Sequence, residues 1–408
     1  MNQINVTRSS MPSFEEYCAE IRDLWESRWL TNMGAKHDCL QKQLESYLSV
    51  PHVTLFTNGH LALEESIRAF GFPAGSEVIT TPFTFASTTH AIVRNNLVPV
   101  FCDIRREDLT MDPALIEGLI SEKTVAILPV HVYGNMCAVR EIGEIAKRHG
   151  LKLIYDAAHA FGVRLNGRSA ACFGDISIFS FHATKVFHTI EGGAACCGEE
   201  GPVQELEDLK NYGIRDEQTV AAVGGNAKMS EFQAAMGICN LRHIDRCISE
   251  RKKAAERYRE RLCGAKGLRL LDPQKDVQPN YSYFPVLFET EQYTRDEAAE
   301  LLAANGIFAR KYFYPLTSDF ACYRGRAKAA PANRTEAGQA GKGGKGQAAE
   351  AGTGNSSGSI PGIGRQDTPT ARQAAEQVLT LPLYPELTAG EIDRICDILL
   401  KKERGDLL

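Results

Sequence analysis

The chain has 408 residues, of which 43% are hydrophobic and 24% are charged, and its formal net charge is −5. This length predicts two domains, and the composition is that of an ordinary globular protein. A weakly acidic chain lacks the positive field that attracts nucleic acid and the polybasic patch that attracts a membrane surface. No apolar run is long enough to span a bilayer. We therefore expect neither a nucleic acid nor a membrane as a partner.

The cysteines indicate a reducing compartment. There are 12 of them, they are scattered, and no CxxC pair occurs. Cys196 and Cys197 are adjacent, which is too cramped for an ordinary disulfide. The start of the chain, MNQINVTRSS, lacks the charged and then apolar pattern of a signal peptide. We expect reduced thiols, no metal site and a cytoplasmic location.

From about residue 53 to 195, short apolar runs alternate with amphipathic stretches. CAVREIGEIAKRHG has apolar residues at helical spacing and ends at Gly150. The predicted strands are VTLF (53–56), SEVITT (76–81), VPVFCDI (98–104), TVAILPVHVYG (124–134), LKLIYDA (151–157), GVRLNG (162–167) and DISIFSF (175–181). Strands that alternate with helices predict an α/β fold with a mostly parallel central sheet flanked by helices.

The pattern changes after residue 229. Residues 230–262 have a long, charge-rich amphipathic helical pattern, which predicts one or two helices leading into a second domain. NYSYFPVLF (280–288) and IFARKYFYP (307–315) are predicted strands flanking the helix RDEAAELLAANG, and the chain closes with an extended piece and a final helix. We therefore predict a large domain with an N-terminal arm over residues 1–245 and a smaller α+β domain over 246–408.

Residues 325–371 form a low-complexity segment. It contains no aromatic residue, and Ile360 and Ile363 are its only large branched apolar residues. Such a segment cannot bury enough surface to offset its chain entropy, so we predict disorder. A tolerated surface insertion is favoured over a tether or docking tail.

An acid and an amine are predicted at one edge of the sheet. Asp156 follows the apolar run LKLIY, and Lys185 follows DISIFSF in the stretch FSFHATKVF. In open α/β sheets the carboxyl ends of the strands are where ligands bind. A lysine that forms a Schiff base and a carboxylate that keeps a pyridine nitrogen protonated are what pyridoxal 5'-phosphate (PLP) chemistry requires.

The other needs of this cofactor can be matched as well. TNGHLAL places a turn before a helix, whose N-terminus suits a phosphate, and the Ser180 hydroxyl is a further candidate. Phe85 in PFTFAST is a flat partner for a ring, and His159 is a candidate hydrogen-bond partner for the ring hydroxyl. Each feature alone is commonly structural, so the prediction depends on their conjunction.

The sequence resembles the DegT/DnrJ/EryC1/StrS family of sugar-nucleotide aminotransferases, which are fold type I PLP-dependent enzymes. The resemblance covers nearly the whole chain except the low-complexity segment. It rests on the motifs WLTNMG, TNGHLAL, GSEVITTPFTFAST, DAAHAFG, GDISIFSFHATK, EGGA and GGNAKMSEFQAA.

The resemblance implies roles for individual residues. Lys185 matches the catalytic lysine that binds the cofactor, Asp156 its pyridinium partner, and His159 the contact to the ring hydroxyl, where many relatives have glutamine. The implied phosphate contacts and the stacking aromatic ring are Gly59, His60, Ser180 and Phe85. Asn226 matches an asparagine that reaches the phosphate from the neighbouring subunit, which implies a homodimer with shared active sites.

Two positions depart from the family pattern. His60 stands where many relatives have a small or hydroxyl residue, so a backbone contact to phosphate is retained but a hydroxyl contact is lost. Ala227 replaces the aromatic residue often found after the asparagine, which alters the expected sugar pocket.

Within the family, runs such as LPVHVYGN, FHATKVF and NYGIRDEQTV are most similar to enzymes that make dTDP-4-amino-4,6-dideoxyglucose. This similarity implies that L-glutamate donates an amino group to C4 of a 4-keto-6-deoxy sugar nucleotide, dTDP-4-keto-6-deoxyglucose, for polysaccharide or glycoconjugate synthesis. The candidate substrate contacts are Tyr312, Tyr314, Lys228, Arg215 and His182; His188 is assigned to packing.

Other functions stay open at this point. A 3-keto sugar aminotransferase would share every motif, whereas a related dehydratase would carry histidine in place of Lys185. A non-catalytic sugar-nucleotide binding protein on the same fold would most simply lack Lys185 or Asp156. A dinucleotide oxidoreductase is disfavoured because no GxGxxG follows the first strand.

Overall fold

The computed structural model describes residues 3–199, 201–290, 293–323 and 367–403. Most of the predicted low-complexity segment lies outside these residues. Its last part is described, however, and a helix begins at Pro369 and buries Ala371. Residues 369–371 belong to the segment predicted to be disordered, and they are helical instead.

Strands and helices alternate along the first half of the chain, as predicted. The strands are β1 (Ile4–Asn5), β2 (His52–Phe56), β3 (Glu77–Thr80), β4 (Val98–Phe101), β5 (Thr124–Leu128), β6 (Lys152–Asp156), β7 (Arg164–Leu165), β8 (Arg168–Ser169), β9 (Ile176–Ser180), β10 (Gly193–Cys197), β11 (Leu268–Leu270), β12 (Val277–Gln278), β13 (Phe284–Phe288), β14 (Ile307–Phe308) and β15 (Val378–Leu381). The helices are α1 (Phe14–Ile21), α2 (Leu24–Ser27), α3 (Ala35–Leu48), α4 (Gly59–Arg68), α5 (Ala86–Arg94), α6 (Pro113–Ile116), α7 (Val139–His149), α8 (Val203–Lys210), α9 (Glu231–Leu262), α10 (Arg295–Ala304), α11 (Pro369–Gln377) and α12 (Ala389–Glu403).

The central sheet has the strand order β2-β10-β9-β6-β5-β3-β4. β10 pairs antiparallel with both β2 and β9, and the other neighbouring strands pair parallel to one another. Strands β2, β3, β5, β6 and β9 are almost wholly buried, as expected for a sheet covered by helices on both faces. The predicted α/β architecture is confirmed.

Helix α4 starts directly at the carboxyl end of β2. The Asn58 side chain caps it by accepting a hydrogen bond from the N–H of Leu61 at 2.9 Å. Gly193, the first residue of β10, packs so closely on this turn that a Cβ there would lie 2.6 Å from the carbonyl oxygen of Asn58. The Asn58–Gly59 turn before α4 and the Gly192–Gly193 pair therefore pack against each other at the edge of the sheet.

Helix α9 connects the two halves of the chain. A reciprocal Ser230–Gln233 capping box starts it, and its later turns pack in a second apolar cluster with α10, α12 and the antiparallel strands β11, β13 and β15. The boundary predicted at residues 245 and 246 falls inside this helix. The division into two domains remains a prediction.

The strand predicted over 307–315 is wrong beyond Phe308. Residues Arg310 and Thr380 still exchange backbone hydrogen bonds at 2.8 and 3.1 Å, but the chain then packs by its side chains. Phe313 is buried against Phe83 and Tyr133, whose ring centroids lie 5.9 and 6.1 Å away. Aromatic packing against the central sheet's own loops thus replaces strand pairing in this stretch.

Two segments that flank residues 324–366 are tied to the same part of the molecule. His90 on α5 contacts the Tyr323 hydroxyl at 2.5 Å, and the Asp103 carboxylate, just after β4, accepts hydrogen bonds from the N–H groups of Thr370 and Ala371 at 2.9 and 2.8 Å. Arg372 also pairs with Asp319 at 2.8 Å. The chain before and the chain after this interval therefore lie side by side.

Within the described residues, no helix is both long enough and apolar enough to cross a bilayer. The same residues contain no group of three or more histidine, cysteine, aspartate or glutamate side chains arranged to hold a metal ion.

Candidate active site

Asp156 and Lys185 come together at the carboxyl edge of the central sheet. β6 ends at Asp156 and its parallel neighbour β9 ends at Ser180, with Asp156 in register with Ile178. Lys185 lies in the loop after β9, where its N–H donates to the His182 carbonyl at 2.8 Å. The acid is buried and the lysine is partly buried.

The Asp156 carboxylate is oriented by two donors. The Thr88 hydroxyl donates to Oδ2 at 2.8 Å and the Ala158 N–H donates to Oδ1 at 3.1 Å. Thr88 in turn shares a hydrogen bond with the Thr84 hydroxyl at 2.8 Å. Burial is the largest influence and leaves the pKa of Asp156 above its ordinary value, although these two donors and the charge of Lys185 lower it. The donors thus favour the ionised carboxylate in a buried place.

The amine of Lys185 is uncharged in part of the molecules. Burial lowers the pKa of Lys185 to about 8, although the nearby Asp156 and Tyr312 raise it. No direct ion pair joins Lys185 to Asp156 among the described residues. The two groups therefore influence each other's pKa through their charges without a direct ion pair.

His159 has a defined tautomer. Its Nδ1 accepts a hydrogen bond from the Tyr133 N–H at 3.1 Å, so Nε2 carries the proton of the neutral ring. Burial and the charge of Lys185 lower the pKa of His159 well below its usual range. The ring stacks on Phe313 at 5.9 Å and meets the edge of Tyr283 at 4.8 Å. His159 is therefore a fixed, neutral donor beside Asp156.

Gly59 and Ser180 form a cradle at the start of α4. A Cβ on Gly59 would lie 2.6 Å from the Ser180 Cβ, so only glycine fits against this strand end. The first N–H groups of the helix, those of Gly59 and His60, have no intrahelical acceptor, as at any helix start. Together with the partly buried Ser180 hydroxyl they form a donor set suited to an anion.

The His60 side chain turns toward neighbouring residues. Its Nδ1 lies 2.9 Å from the Ser87 hydroxyl, and its Nε2 lies 3.4 Å from the Glu64 carboxylate. Glu64 is buried and bonds Arg94 at 2.7 Å. The ring is therefore engaged, while the backbone N–H of His60 is left at the helix start.

Phe85 is the N-cap residue of α5, and its side chain is 61% exposed. A large aromatic ring left this exposed, directly before Ser87 and Thr88, is available to a flat ligand. This position agrees with the predicted stacking role, which remains a prediction.

Asn226 is exposed, on the loop that precedes α9. Its side-chain oxygen accepts a hydrogen bond from Lys228 Nζ at 3.2 Å, and this ammonium lies 5.0 Å from the centre of the Tyr212 ring. Arg215, on the same loop, is held by two bonds to Asp208, at 3.0 and 2.6 Å. Lys228 thus lies beside Asn226, whereas Arg215 is paired with Asp208. Contact of Lys228 and Arg215 with the substrate remains a prediction.

The remaining predicted substrate residues differ in their surroundings. Tyr312 is close enough to Lys185 to influence its pKa and meets the ring of Tyr283 at 5.8 Å. Tyr314 is instead covered by the guanidinium of Arg295 at 4.8 Å. Of the two tyrosines, Tyr312 is the one placed at the lysine.

The two histidines near Lys185 also separate. His182 is exposed, with its ring 2.8 Å from the Thr184 hydroxyl and 3.5 Å from the Glu191 carboxylate. His188 is buried and bonds the Ser10 carbonyl and the Asn240 side chain. His188 is therefore a packing residue, as the sequence indicates.

Some neighbours of the site could not be assigned from the sequence. Thr88 orients Asp156, Ser87 contacts His60, and Tyr133 and Tyr283 enclose His159. Thr88 lies three residues after Phe85 on the same helix, so helical spacing was a usable signal for it. The two tyrosines come from distant parts of the chain and carried no such signal.

The sequence pattern of the DegT/DnrJ/EryC1/StrS aminotransferase family matches residues 13–342. The chain belongs to this family. The resemblance drawn from the motifs is thereby confirmed, and the chain is an aminotransferase.

Two curated members of the family are 38% identical to this chain, and both are named dTDP-4-amino-4,6-dideoxy-D-glucose transaminase. The protein of Shigella dysenteriae aligns over 96% of this chain and 97% of its own length, and that of Escherichia coli over 98% of each. The crystal structure of DesI in the presence of its TDP-sugar product superposes with a TM-score of 0.86 at 29% identity, covering 99% of this chain and 94% of that one. The alignment with these relatives thus extends over nearly the whole chain.

Proposed function

We propose that this aminotransferase uses PLP to transfer an amino group from L-glutamate to C4 of a 4-keto-6-deoxy sugar nucleotide, dTDP-4-keto-6-deoxyglucose. The observation that carries the proposal is the pair formed by buried Asp156 and Lys185 at the sheet edge, beside the cradle of Gly59 and Ser180.

The residues present fit this cofactor. The N–H groups of Gly59 and His60 and the Ser180 hydroxyl suit its phosphate, and the Asp156 carboxylate suits its ring nitrogen. The Nε2–H of His159 suits the ring hydroxyl, since the Nδ1 of that ring is already occupied by the Tyr133 N–H. When bound, the cofactor takes the amino group from the donor and passes it to the keto carbon.

The protein's own part is binding and proton transfer. Lys185 Nζ, with a pKa of about 8, has a neutral form that would take the proton from the α-carbon of glutamate and pass it to the cofactor in the first half of the reaction. In the second half it would move a proton in the reverse direction, from the cofactor to the sugar carbon that receives nitrogen. Asp156 holds a negative charge at the ring nitrogen, and Thr88 and the Ala158 N–H keep that carboxylate ionised and oriented.

The choice of sugar follows from the relatives. The two curated relatives that are 38% identical over nearly the full chain are named for a C4 amino product on a dTDP sugar, whereas a relative named for a 3-amino product is 29% identical. Tyr312 beside Lys185 and the partly buried Lys228 are the side chains we assign to the sugar and the diphosphate.

We further propose a homodimer in which Asn226 completes the partner's phosphate site. The loop before Asn226 exposes apolar side chains to an unusual extent: Tyr212 is 47% exposed, Ile214 44%, Val220 68% and Val223 93%. A contiguous loop of this kind marks an interaction surface, and Asn226 lies at its end.

The test is incubation of the full chain with PLP, L-glutamate and a panel of 4-keto and 3-keto sugar nucleotides, read by mass spectrometry and NMR. We expect 2-oxoglutarate and a product with one new nitrogen at C4. Lys185→Ala is expected to abolish turnover, whereas Lys252→Ala, which removes an exposed lysine on α9, is expected to leave it unchanged. Turnover of a 3-keto substrate alone would refute the sugar assignment, and near wild-type turnover by Lys185→Ala would refute the mechanism.

A further inference from the structure

His60 is the residue by which this chain departs from its family at the phosphate turn, and its surroundings compensate for that change. The ring is bracketed by Ser87 at Nδ1, at 2.9 Å, and by the carboxylate of Glu64 at Nε2, at 3.4 Å. Glu64 lies one turn further along α4, so the imidazole lies along the helix and its own N–H remains at the helix start.

The buried acid fixes the tautomer of the ring. Glu64 is 3% exposed and is paired with Arg94 at 2.7 Å and Arg68 at 3.4 Å, so it is a carboxylate that only accepts hydrogen bonds. A proton on Nε2 of His60 is attracted to this carboxylate at 3.4 Å, and in that tautomer of the neutral ring Nδ1 accepts the single proton of the Ser87 hydroxyl. In this state Ser87 has no proton left for a ligand.

Protonation of the ring reverses the second bond. With both ring nitrogens bearing protons, Nδ1–H donates to the Ser87 oxygen, and the Ser87 hydroxyl proton is released to donate elsewhere. Ser87 lies in the first turn of α5, between Phe85 and Thr88, so the released donor lies among the residues assigned to the cofactor. Many relatives have a small or hydroxyl residue directly after the glycine of the phosphate turn. In this chain Ser87 on α5 then supplies the hydroxyl.

We propose that His60 and Ser87 form a proton-linked phosphate clamp, in which binding of the cofactor's phosphate is coupled to uptake of a proton by His60 and to reorientation of the Ser87 hydroxyl toward the phosphate. This inference rests on the proposed use of PLP and deepens it. His60 acts as a positioning residue through Ser87.

The electrostatics set the direction of the coupling. Among the described residues, the charged and titratable groups that face His60 are Glu64 on α4 and His90 and Arg94 on α5. Burial lowers the pKa of His60, Glu64 raises it, and Arg94 and His90 lower it, so the ring is neutral at pH 7 before binding. A phosphate dianion nearby raises that pKa. Affinity for the phosphate is therefore greatest at low pH and falls as pH rises through the pKa of the complex.

The experiment measures binding of pyridoxamine 5'-phosphate, which cannot attach to Lys185, to the cofactor-free full chain by calorimetry at pH 6 to 8. Repeating each titration in buffers of different ionisation enthalpy gives the number of protons taken up. We expect wild type to take up more protons on binding than His60→Gln does, with a difference of at most one proton. We also expect the affinity of wild type, relative to that variant, to fall by up to about tenfold for each unit that the pH rises.

Two variants separate the parts of the clamp. His90→Gln removes a neighbouring histidine that bonds Tyr323 instead of Ser87, and we expect its proton uptake to match wild type. Ser87→Ala is expected to weaken pyridoxamine 5'-phosphate about tenfold while leaving unphosphorylated pyridoxamine unaffected. His60→Thr, which restores the family's hydroxyl, is expected to bind tightly without the pH dependence.

Equal proton uptake by wild type and His60→Gln would overturn the clamp while leaving the proposed function standing. Equal loss of both pyridoxamine forms in Ser87→Ala would also overturn it, because the effect would not be specific to the phosphate. Absence of binding by wild type at every pH would overturn both the clamp and the proposed function.

Discussion

The pKa of Lys185 offers the sharpest test of the site, through the variant Asp156→Asn. In the wild type, burial lowers this pKa to about 8 and the Asp156 carboxylate limits the fall. Removing the carboxylate charge removes an attraction for the protonated amine, so we expect the pKa of Lys185 in Asp156→Asn to lie below that of the wild type. The same substitution removes the carboxylate that pairs with the ring nitrogen of the cofactor. We therefore expect Asp156→Asn to attach PLP at lower pH than the wild type, but to catalyse transamination more slowly.

The size of the wild-type effect follows from the two pKa values. At pH 7 an amine with a pKa of about 8 is neutral in about 10% of molecules, whereas one with the ordinary lysine value of 10.5 is neutral in about 0.03%. The buried position thus raises the reactive fraction about 300-fold. Since only the neutral amine attacks a carbonyl, the attachment rate should rise about tenfold per pH unit up to about pH 8 and then level off.

The assay is rapid mixing of the cofactor-free chain with PLP, followed by absorbance between pH 6 and 10. Borohydride trapping and peptide mass spectrometry identify the modified lysine, and Lys185→Ala gives the background. For Asp156→Asn we expect the plateau to begin at lower pH, while transamination falls at least about 100-fold. A wild-type rate that still rises above pH 9, or a plateau that moves to higher pH in Asp156→Asn, would refute the reasoning.

Two further predictions concern the cradle and the orientation of the acid. Gly59→Ala brings a methyl group to 2.6 Å from the Ser180 Cβ, so we expect PLP affinity to fall at least about tenfold. Its matched control, Gly143→Ala in α7, meets nothing within 4 Å, and we expect unchanged binding with about 0.5–1 kcal/mol greater stability to denaturant. Thr88→Val removes a donor from Asp156, and we expect kcat to fall about tenfold, with recovery in Thr88→Ser. Equal PLP affinity in Gly59→Ala and Gly143→Ala, or failure of Thr88→Ser to recover, would contradict these assignments.

The features that could be predicted from the sequence are those written locally in the chain. Asp156 and Lys185 each follow an apolar strand, and parallel neighbouring strands end at the same edge, so their meeting follows from topology. Gly59 lies in a local NG turn between a strand and a helix, and its role could be predicted only together with the other features of the site.

What could not be predicted depends on tertiary contacts. The stretch 307–315 has the composition of a strand, yet past Phe308 its aromatic side chains find partners on Phe83 and Tyr133, far away in the chain. Arg215 looked free to meet a diphosphate, but the bond it makes to Asp208 depends on how the intervening loop folds back. Neither outcome is encoded in periodicity or spacing.

The paired anchors on either side of residues 324–366 make this position permissive for changes in chain length. Tyr323 is held by His90 on α5, and Thr370 is held by Asp103, just after β4. Both anchors are made without the intervening residues. We therefore expect a peptide tag or a folded domain inserted at this position to leave the strands of the active site undisturbed. This position is the natural place to immobilise or label the enzyme.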